Sequence, residues 1–543
     1  MLPPRCLLAP ELLEAIAVFL ASPLELFALL EALPLDALSS PLASLRALHE
    51  ATASHIFTYA KFDEVYFNGI SLWPALALPR AIEDPSILRH IEEALELFPI
   101  LSHESLAFPL PFALGHRTKL HVPNVYFPAV LDKALAHHRD DIGSIGLFLT
   151  DRRSRSAHAD GGLVQRLASL QDLPSLRDLA VHIQWHAATM TDELEAVLVA
   201  LMTAPVTSLT LDVALDDATW PPALLTAFTT WLETHALLSS VTLTQLTLPT
   251  AGIEAVCDAL WASRSLRAIG LHDPRIVATV SFLRRPLPST WTRLDASLCE
   301  FADGSALMAL LANTSLAHLA LSFADARYAI DVCRELVLET LPTLERLRHL
   351  KLTSVPLLPD VSTALAAILP RLRGLCLEQN MLENAGAIAL AAQLPRCKRL
   401  QSLTLRHQNI ATNGCVALAD GTARCPAIER VDLAENHVGL AGAVAWSQLL
   451  PRLTLLDLSS CSVPRKGADA FARVLRRTTY VTKLVLDSNP IQRRGIQAIV
   501  AAVASTPTRK AVVRLGDIVD FHDEALCVAP VAGTPHETWL EFY

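Results

Sequence analysis

The sequence predicts an α/β solenoid, a horseshoe with short parallel strands on the inside and helices on the outside. Three observations support this prediction. A leucine pattern typical of short strands recurs five times between positions 372 and 491, at nearly constant steps of about 28 residues. A glycine occupies the same place in each copy, at Gly386, Gly414, Gly442, Gly467 and Gly495. Sequence rich in alanine and leucine, with the spacing of a helix, follows each glycine.

The inner strand comes from the repeated pattern L-x-x-L-x-L-x-x-N/C-x-L, in which alternate side chains point into the core. The five regular copies begin at Leu372, Leu400, Ile428, Leu453 and Val481. The ninth position carries Asn in three copies, and we expect its amide to satisfy turn backbone groups that would otherwise be buried without partners.

Further copies continue toward the N-terminus with decreasing fidelity. They begin at Leu347, Leu316, Trp291, Leu266, Leu238, Val206, Leu176, Ile142 and Arg117. The sequence therefore predicts degenerate repeats over 116–345, regular repeats over 346–505 and a C-terminal cap over 506–543. Residues 61–115 are predicted to be a helical or irregular connector.

The segment 1–60 does not follow the repeat and is predicted to be helical. Residues 7–20 contain a proline in a plausible first turn, early acidic residues and apolar residues at helical spacing. A second helix is predicted over 24–33, where Pro34 ends it. An N-terminal α-helical segment is therefore predicted to precede the solenoid.

Composition restricts the classes of function. Hydrophobic residues make up 52% and charged residues 18% of the chain, which is enough apolar material for a large core. The formal net charge of −10 opposes broad binding to nucleic acid. We see no secretory signal and no transmembrane segment, and the ten cysteines form no C-x-x-C pair, so a cytoplasmic or nuclear protein is expected. Cys397 and Cys425 are predicted to pack together in the core.

The repeat length, together with a glycine before the outer helix, resembles the ribonuclease-inhibitor-like class of leucine-rich repeats. The resemblance covers 238–503 and is strongest from Leu372 onward. It implies an intracellular protein that binds its partner on the concave strand face and has no catalytic residues in the repeat.

The N-terminal helices are similar to an F-box, the module that attaches substrate receptors to a cullin-type ubiquitin ligase through an adaptor. The matching residues are Leu8, Pro10, Glu11, Leu12, Leu13, Ile16, Phe19 and Leu20. The second half departs from the family, because residues 31–34 read Glu-Ala-Leu-Pro where an F-box usually has Cys-Lys/Arg-x-Trp. The alternative is that these helices only cap the apolar edge of the first repeat.

A catalytic or metal site is not expected. The chain has no H-E-x-x-H, G-x-S-x-G, Walker or G-x-G-x-x-G motif, so we predict neither an enzyme nor a cofactor. His137 and His138 lie beside Asp140 and Asp141, but adjacent helical residues point about 100° apart and chelate poorly. A polar helix end is the preferred interpretation.

The candidate binding site is the concave strand face. Its predicted residues are His349, Lys351, Glu378, Arg406, His407, Arg430, Asp432, Glu435, Asp457 and Asp487. They form a largely acidic ladder interrupted by basic residues, although strand positions that face water are ordinarily polar. Corresponding positions in earlier copies are more apolar, for example Phe148 and Val213, which suggests a partner with one hydrophobic and one basic end.

Two functional hypotheses follow. In the first, the helices dock to a ubiquitin-ligase adaptor and the horseshoe selects the protein to be modified. In the second, the chain is a non-enzymatic scaffold or regulator, such as a GTPase regulator, and the N-terminal helices only cap the solenoid.

Overall fold

The structure is a computed structural model. It describes residues 13, 29–30, 32–51, 76–77, 85–97, 100–102, 114, 118–125, 128–150, 168–185, 192–215, 220–273, 285–299, 304–311, 315–323, 326–355, 357–477, 483–504, 512–515 and 540–541. The chain divides into two compact units, Met1–Asp273 and Pro274–Tyr543.

In the first unit, successive strands pair in parallel along the chain, and helices lie between most of them. The strands are β1 (Leu76–Ala77), β2 (Ile100–Ser102), β3 (Lys119–Val125), β4 (Ile142–Thr150), β5 (Asp178–Trp185), β6 (Ser208–Leu215), β7 (Ser240–Thr244) and β8 (Ala268–Leu271). The helices are α1 (Ser40–Ala51), α2 (Pro85–Ala94), α3 (Pro128–His138), α4 (Asp192–Leu201), α5 (Pro222–Thr234) and α6 (Thr250–Ala262).

The second unit repeats the same arrangement, again with parallel pairing between successive strands. The strands are β9 (Arg293–Cys299), β10 (His318–Phe323), β11 (His349–Thr353), β12 (Gly374–Glu378), β13 (Ser402–Arg406), β14 (Arg430–Asp432), β15 (Leu455–Asp457), β16 (Lys483–Val485), β17 (Val512–Arg514) and β18 (Leu540–Glu541). The helices are α7 (Gly304–Leu311), α8 (Ala326–Glu335), α9 (Pro359–Ile368), α10 (Glu383–Gln393), α11 (Thr412–Ala423), α12 (Gly439–Ser447), α13 (Arg465–Leu475) and α14 (Gln492–Ala504).

The predicted fold class is confirmed as an α/β solenoid of repeats. Parallel neighbours require a crossover between strands, and here helices supply most of these crossovers. Burial alternates along the strands, as in β11, where Leu350 and Leu352 are buried while His349, Lys351 and Thr353 are partly exposed. The leucine pattern therefore identifies the residues of the common core.

The ninth position of the repeat ties neighbouring turns together, as predicted for its asparagines. Asn436 is 1% exposed, and its side-chain oxygen accepts hydrogen bonds from the backbone N–H groups of Gln408 and Ile410 at 3.1 and 3.0 Å. Its amide nitrogen donates to the carbonyls of Leu405 and Leu433 at 2.7 and 2.9 Å. Asn489 makes the equivalent set of bonds one pair of repeats further on.

Three of the strands are preceded by a short 3₁₀ turn with the sequence Leu-Pro-Arg. These turns lie at 369–371, 394–396 and 450–452. Two of these arginines bind the preceding repeat. Arg452 donates to the carbonyls of Ala423 and Cys425 at 2.6 and 2.8 Å, and Arg371 donates to those of Leu341 and Pro342. These guanidinium groups satisfy carbonyls that helix ends leave without an intrahelical partner.

The regular placement of the glycines has a packing reason. A Cβ atom at Gly442 would lie 2.6 Å from Cγ1 of Val438 and 3.4 Å from Cβ of Cys415. The first distance is shorter than real carbon contacts allow, so glycine leaves room for Val438 one turn earlier, while the second is an ordinary contact with α11. At Gly467 a Cβ atom would also lie 2.9 Å from Cβ of Ala443 in α12, so there the glycine is needed for close packing on the preceding helix.

Strands also occur where the sequence predicted connector and cap. β1 and β2 lie within 61–115, which was expected to be helical or irregular, and β17 and β18 lie within 506–543. These strands have only two or three residues each, and they are strands because they pair with a neighbouring strand. The local sequence pattern does not predict that pairing. The boundary between the compact units follows Asp273, whereas the sequence divided degenerate from regular repeats at 345.

Candidate functional site

The candidate site lies on the open strand face, which we define as the partly exposed strand positions of the second unit that alternate with its buried core positions. Because the strands pair in register, equivalent positions of successive repeats lie side by side. Neighbouring strands are about 4.8 Å apart, so side chains of adjacent repeats are within contact distance. The face is therefore one continuous surface assembled from residues that successive repeats contribute.

Its most highly charged part is the carboxylate ring, which we define as Arg406, Asp432, Glu435 and Asp457. Arg406, the last residue of β13, lies 3.1 Å from Asp432, 3.3 Å from Glu435 and 3.6 Å from Asp457 between guanidinium nitrogen and carboxylate oxygen. One cation therefore faces three anions from the next two repeats. With all groups ionised, the ring has a net charge of about −2.

One carboxylate of the ring, that of Asp432, is harder to ionise than an isolated aspartate. Asp432 and Asp457 occupy equivalent positions on the paired strands β14 and β15. Burial, followed by repulsion from Asp457, raises the pKa of Asp432 to about 6, although Arg406 acts in the opposite direction. The ring consequently holds unfavourable negative charge at neutral pH, which a further cation would relieve.

Two further polar contacts adjoin the ring on the same face. His407 Nδ1 lies 3.1 Å from a carboxylate oxygen of Glu435, and Lys351 Nζ lies 3.4 Å from Glu378. His407 and Glu435 have positive φ angles of 53° and 61°, so both side chains project from the tight turns that follow their strands. The turns extend the charged surface beyond the ends of the strands.

The structure brings most of the predicted face residues together. Arg406, His407, Asp432, Glu435 and Asp457 form one contiguous group, and Lys351 and Glu378 form a second. Asp487 is partly exposed just after β16. His349 and Arg430 are the first residues of β11 and β14, so they lie at the opposite end of the strands from Arg406.

The start of the strands carries a feature that sequence reasoning missed. The imidazole rings of His318 and His349 are stacked with centroids 4.4 Å apart and planes 6° from parallel. They occupy paired positions on β10 and β11, next to Arg293 on β9. Each histidine directly precedes the first core leucine of its strand. Aligning the Leu316 and Leu347 copies would therefore have predicted that the two histidines lie side by side.

The expected apolar gradient toward earlier repeats is wrong in detail. Val213 belongs to the buried side of β6 and is 0% exposed. The outward position next to it in the chain is Asp212, whose carboxylate lies 3.3 Å from His182 Nδ1, and Phe148 stacks on that histidine at 4.5 Å. The sequence-based alignment was one residue out at Val213. Because successive strand residues point to opposite faces, this error exchanged the buried face of β6 for its exposed face.

The described residues show no grouping suited to a metal ion, and the two cysteines singled out in the sequence are buried. In those parts of the chain, no three His, Cys, Asp or Glu side chains are grouped as a metal ion would need. His137 and His138 end α3. Cys397 and Cys425 are fully buried, with the Cys425 thiol 3.1 Å from the Cys397 carbonyl, and burial raises both thiol pKa values. Buried, protonated thiols are poor nucleophiles.

The F-box-like residues lie almost entirely outside the described part of the chain. Leu13 is described and is 2% exposed. The other seven lie outside the described residues: Leu8, Pro10, Glu11, Leu12, Ile16, Phe19 and Leu20.

Comparison with known proteins gives no assignment. No protein-family model and no curated protein sequence matches this chain. Among solved structures, the chain is similar to a protein from Bacteroides fragilis at 12% identity, over 54% of this chain and 74% of that one. The TM-score is 0.34, which is too low to assign a fold or a function. Within the described residues, no helix combines the length and apolar character needed to cross a membrane.

Proposed function

We propose that this chain is a protein-binding leucine-rich-repeat protein of the ribonuclease-inhibitor-like class, acting by recognition and not by catalysis. The observation that carries the proposal is the carboxylate ring, which joins three successive repeats on an otherwise solvent-facing strand face. Isolated polar residues on such a face need no explanation beyond exposure to water. A mutually repelling pair of carboxylates that tertiary structure holds together calls for a further reason.

The ring favours a basic partner. Its net negative charge remains after Arg406 is counted, and Asp432 and Asp457 are both less than one-fifth exposed at the side chain. A lysine or arginine from a partner placed between them would replace water and relieve their repulsion. Charge-assisted hydrogen bonds of this kind contribute about 1.5–3 kcal/mol when they are shielded from solvent.

The first use that we propose for this binding is recruitment of a substrate to a cullin-type ubiquitin ligase. The support is the F-box-like sequence from Leu8 to Leu20, followed by repeats in the order that such receptors have. In this proposal the N-terminal helices bind the adaptor, and the open strand face selects the substrate.

A specific contact favours the second use, in which the helices only cap the repeats. Ser44 of α1 donates a hydrogen bond of 2.6 Å to Glu93 of α2 and lies 3.1 Å from His90. Arg46 also donates to the carbonyls of Leu30 and Leu33 at 2.9 Å. The Ser44 bond ties α1 to α2 of the connector, as a cap requires, whereas the Arg46 bonds hold the helical segment itself together. The chain would then be a scaffold or regulator.

Neutralising the ring tests the common part of both proposals. Asp432→Asn, Glu435→Gln and Asp457→Asn are combined in the full chain, and the proteins that it retains from cell extract are quantified by mass spectrometry. The matched control removes three exposed acids elsewhere in the same unit: Glu339→Gln, Glu345→Gln and Asp420→Asn. We expect the ring variant to lose its principal partner and the control to keep it. Equal retention by both would refute binding at the ring.

A further inference from the structure

A second charged surface lies at the start of the strands, and its sign is opposite to that of the carboxylate ring. We name it the His–Arg row and define it as Arg293, His318, His349, Arg373 and Arg430. Four of these residues begin strands β9, β10, β11 and β14, and Arg373 directly precedes β12. Register places Gly374 and Ser402 between His349 and Arg430. The row belongs wholly to the second unit.

Gly374 makes the stacked histidines possible. A Cβ atom at this position would lie 2.8 Å from Nδ1 of His349 and 3.1 Å from the hydroxyl oxygen of Ser402. Any side chain here would therefore displace the His349 ring or the Ser402 hydroxyl. Two polar groups from neighbouring strands converge over a residue without a side chain, so they line a polar floor in the middle of the row.

The row concentrates positive charge in a chain whose net charge is negative. Burial, followed by the charges of Arg293 and Arg373, lowers the pKa of His318 to about 4. Burial also lowers the pKa of His349 to about 3, with contributions from His318 and from all three arginines of the row. Arg293 and Arg373 thus act on both rings and Arg430 acts on that of His349, and an anion placed among the three arginines would be favoured.

We propose that the His–Arg row is a docking surface for an acidic segment of a protein partner. This inference rests on the proposed protein-binding function and adds a second, oppositely charged contact to it. The partner segment carries carboxylates that pair with Arg293, Arg373 and Arg430. Its main chain runs across the histidine rings and the polar floor at Gly374.

Dimensions fix the length of the segment. Five strand-to-strand steps separate β9 from β14, so Arg293 and Arg430 are about 24 Å apart along the sheet. An extended peptide advances about 3.3 Å per residue, so about seven residues span the row. The equivalent strand positions beyond Arg430 are Leu455 and Lys483. A nucleic acid fits less well, because the net charge of −10 opposes binding to a long phosphate backbone, whereas a segment of about seven residues needs only the three arginines.

Peptide selection on the full chain tests the proposal. A phage-displayed library of random dodecapeptides is panned on the wild-type protein and on the double variant Arg373→Gln/Arg430→Gln. We expect the wild type to enrich peptides with clustered Asp and Glu and the variant to lose that enrichment. A fluorescein-labelled selected peptide should bind the variant at least about tenfold more weakly in fluorescence anisotropy, as the loss of two charge-assisted contacts implies.

Three further proteins control for folding and for general charge effects. Arg424→Gln/Arg473→Gln removes two exposed arginines, each bonded to a helix carbonyl one turn earlier, and should bind the peptide like the wild type. Arg373→Lys/Arg430→Lys keeps the charge and should retain most of the affinity. Gly374→Ala should weaken binding although it removes no charge, because it displaces His349.

The outcomes separate this inference from the proposed function. Absence of acidic enrichment, or its persistence in Arg373→Gln/Arg430→Gln, overturns the inference. Tighter binding of a single-stranded dT20 oligonucleotide than of the selected peptide also overturns it. Selection of basic peptides that require Asp432, Glu435 and Asp457, without selection of acidic ones, preserves the proposed function and refutes the row alone. If no peptide is selected, the row proposal fails, and the cell-extract comparison of the ring variant with its control decides the proposed function.

Discussion

Asn436 offers the sharpest test of how the repeats are held together. Alanine at this position removes both the acceptor and the donor of a buried amide. Two backbone N–H groups, those of Gln408 and Ile410, then lose their hydrogen bonds. The carbonyls of Leu405 and Leu433 lose a bond as well. Water cannot replace these bonds without opening the turn, because the site is 1% exposed.

The magnitude follows from the number of orphaned donors. A buried polar group without a partner costs about 1–3 kcal/mol, so two N–H groups predict a loss of about 2–6 kcal/mol in the free energy of unfolding. The carbonyls add less, because each can accept a second hydrogen bond. A loss of this size is a large part of the stability of a typical domain, about 5–15 kcal/mol.

Urea denaturation followed by circular dichroism measures the loss, and hydrogen exchange should place it at residues 405–410. Asn413→Ala is the matched control, since Asn413 is exposed on α11 and its removal should change stability by no more than about 0.5 kcal/mol. Gln408→Ala should cost less than Asn436→Ala, because Gln408 accepts one cross-repeat bond, from Leu382 at 3.3 Å. Equal stability of the Asn436 and Asn413 variants would refute this account of the turn.

Three other predictions concern charge, packing and the N-terminus. Because the folded pKa of Asp432 is raised to about 6, the stability of the wild type should fall as pH rises from about 4 through 6. Asp432→Asn should avoid this loss and be about 1–3 kcal/mol more stable than the wild type at pH 7.5. Urea midpoints of the two proteins that differ by the same amount at every pH would contradict this prediction. Gly442→Ala should cost about 1–3 kcal/mol through the clash with Val438, seen as a lower midpoint in thermal melting, whereas an unchanged midpoint would show that the Val438 side chain moves aside without cost. Deletion of residues 1–50 should abolish co-purification of a ubiquitin-ligase adaptor and cullin; their persistence, or their absence from the intact protein, would refute the F-box proposal.

The regular repeats could be predicted well from the sequence, because the spacing of the leucines directly reflects which strand residues are buried in the core. Leu403 and Leu405, for example, are inward because a strand has a period of two, and both are 0% exposed. The turn asparagines were equally predictable, since a buried turn needs a side chain that both donates and accepts. Local pattern and structure agree wherever one repeat determines its own geometry.

Contacts between repeats were less predictable. The sequence placed Arg406, Asp432 and Asp457 on one face, but the convergence of both carboxylates on one guanidinium depends on register across three strands. The stacked pair His318 and His349 comes from two successive repeats and needs a residue without a side chain beside it. The arginines of the Leu-Pro-Arg turns look like solvated charges in sequence, yet Arg371 and Arg452 bind carbonyls of the preceding repeat. Such features depend on contacts between repeats, whereas the sequence pattern describes each repeat by itself.

The ninth-position side chains have a mechanical consequence. Asn380, Asn436 and Asn489 each bond the preceding repeat through two or more hydrogen bonds, whereas Gln408 and Cys461 each make one cross-repeat bond with their side chains. Firm and loose junctions therefore alternate along the regular repeats. From this difference in bonding we expect two-repeat segments to be stiffer than the junctions between them, and bending to concentrate at those junctions, which we call seams. The carboxylate ring bridges the seam before the Leu453 copy, so a partner that binds there also stiffens the stack.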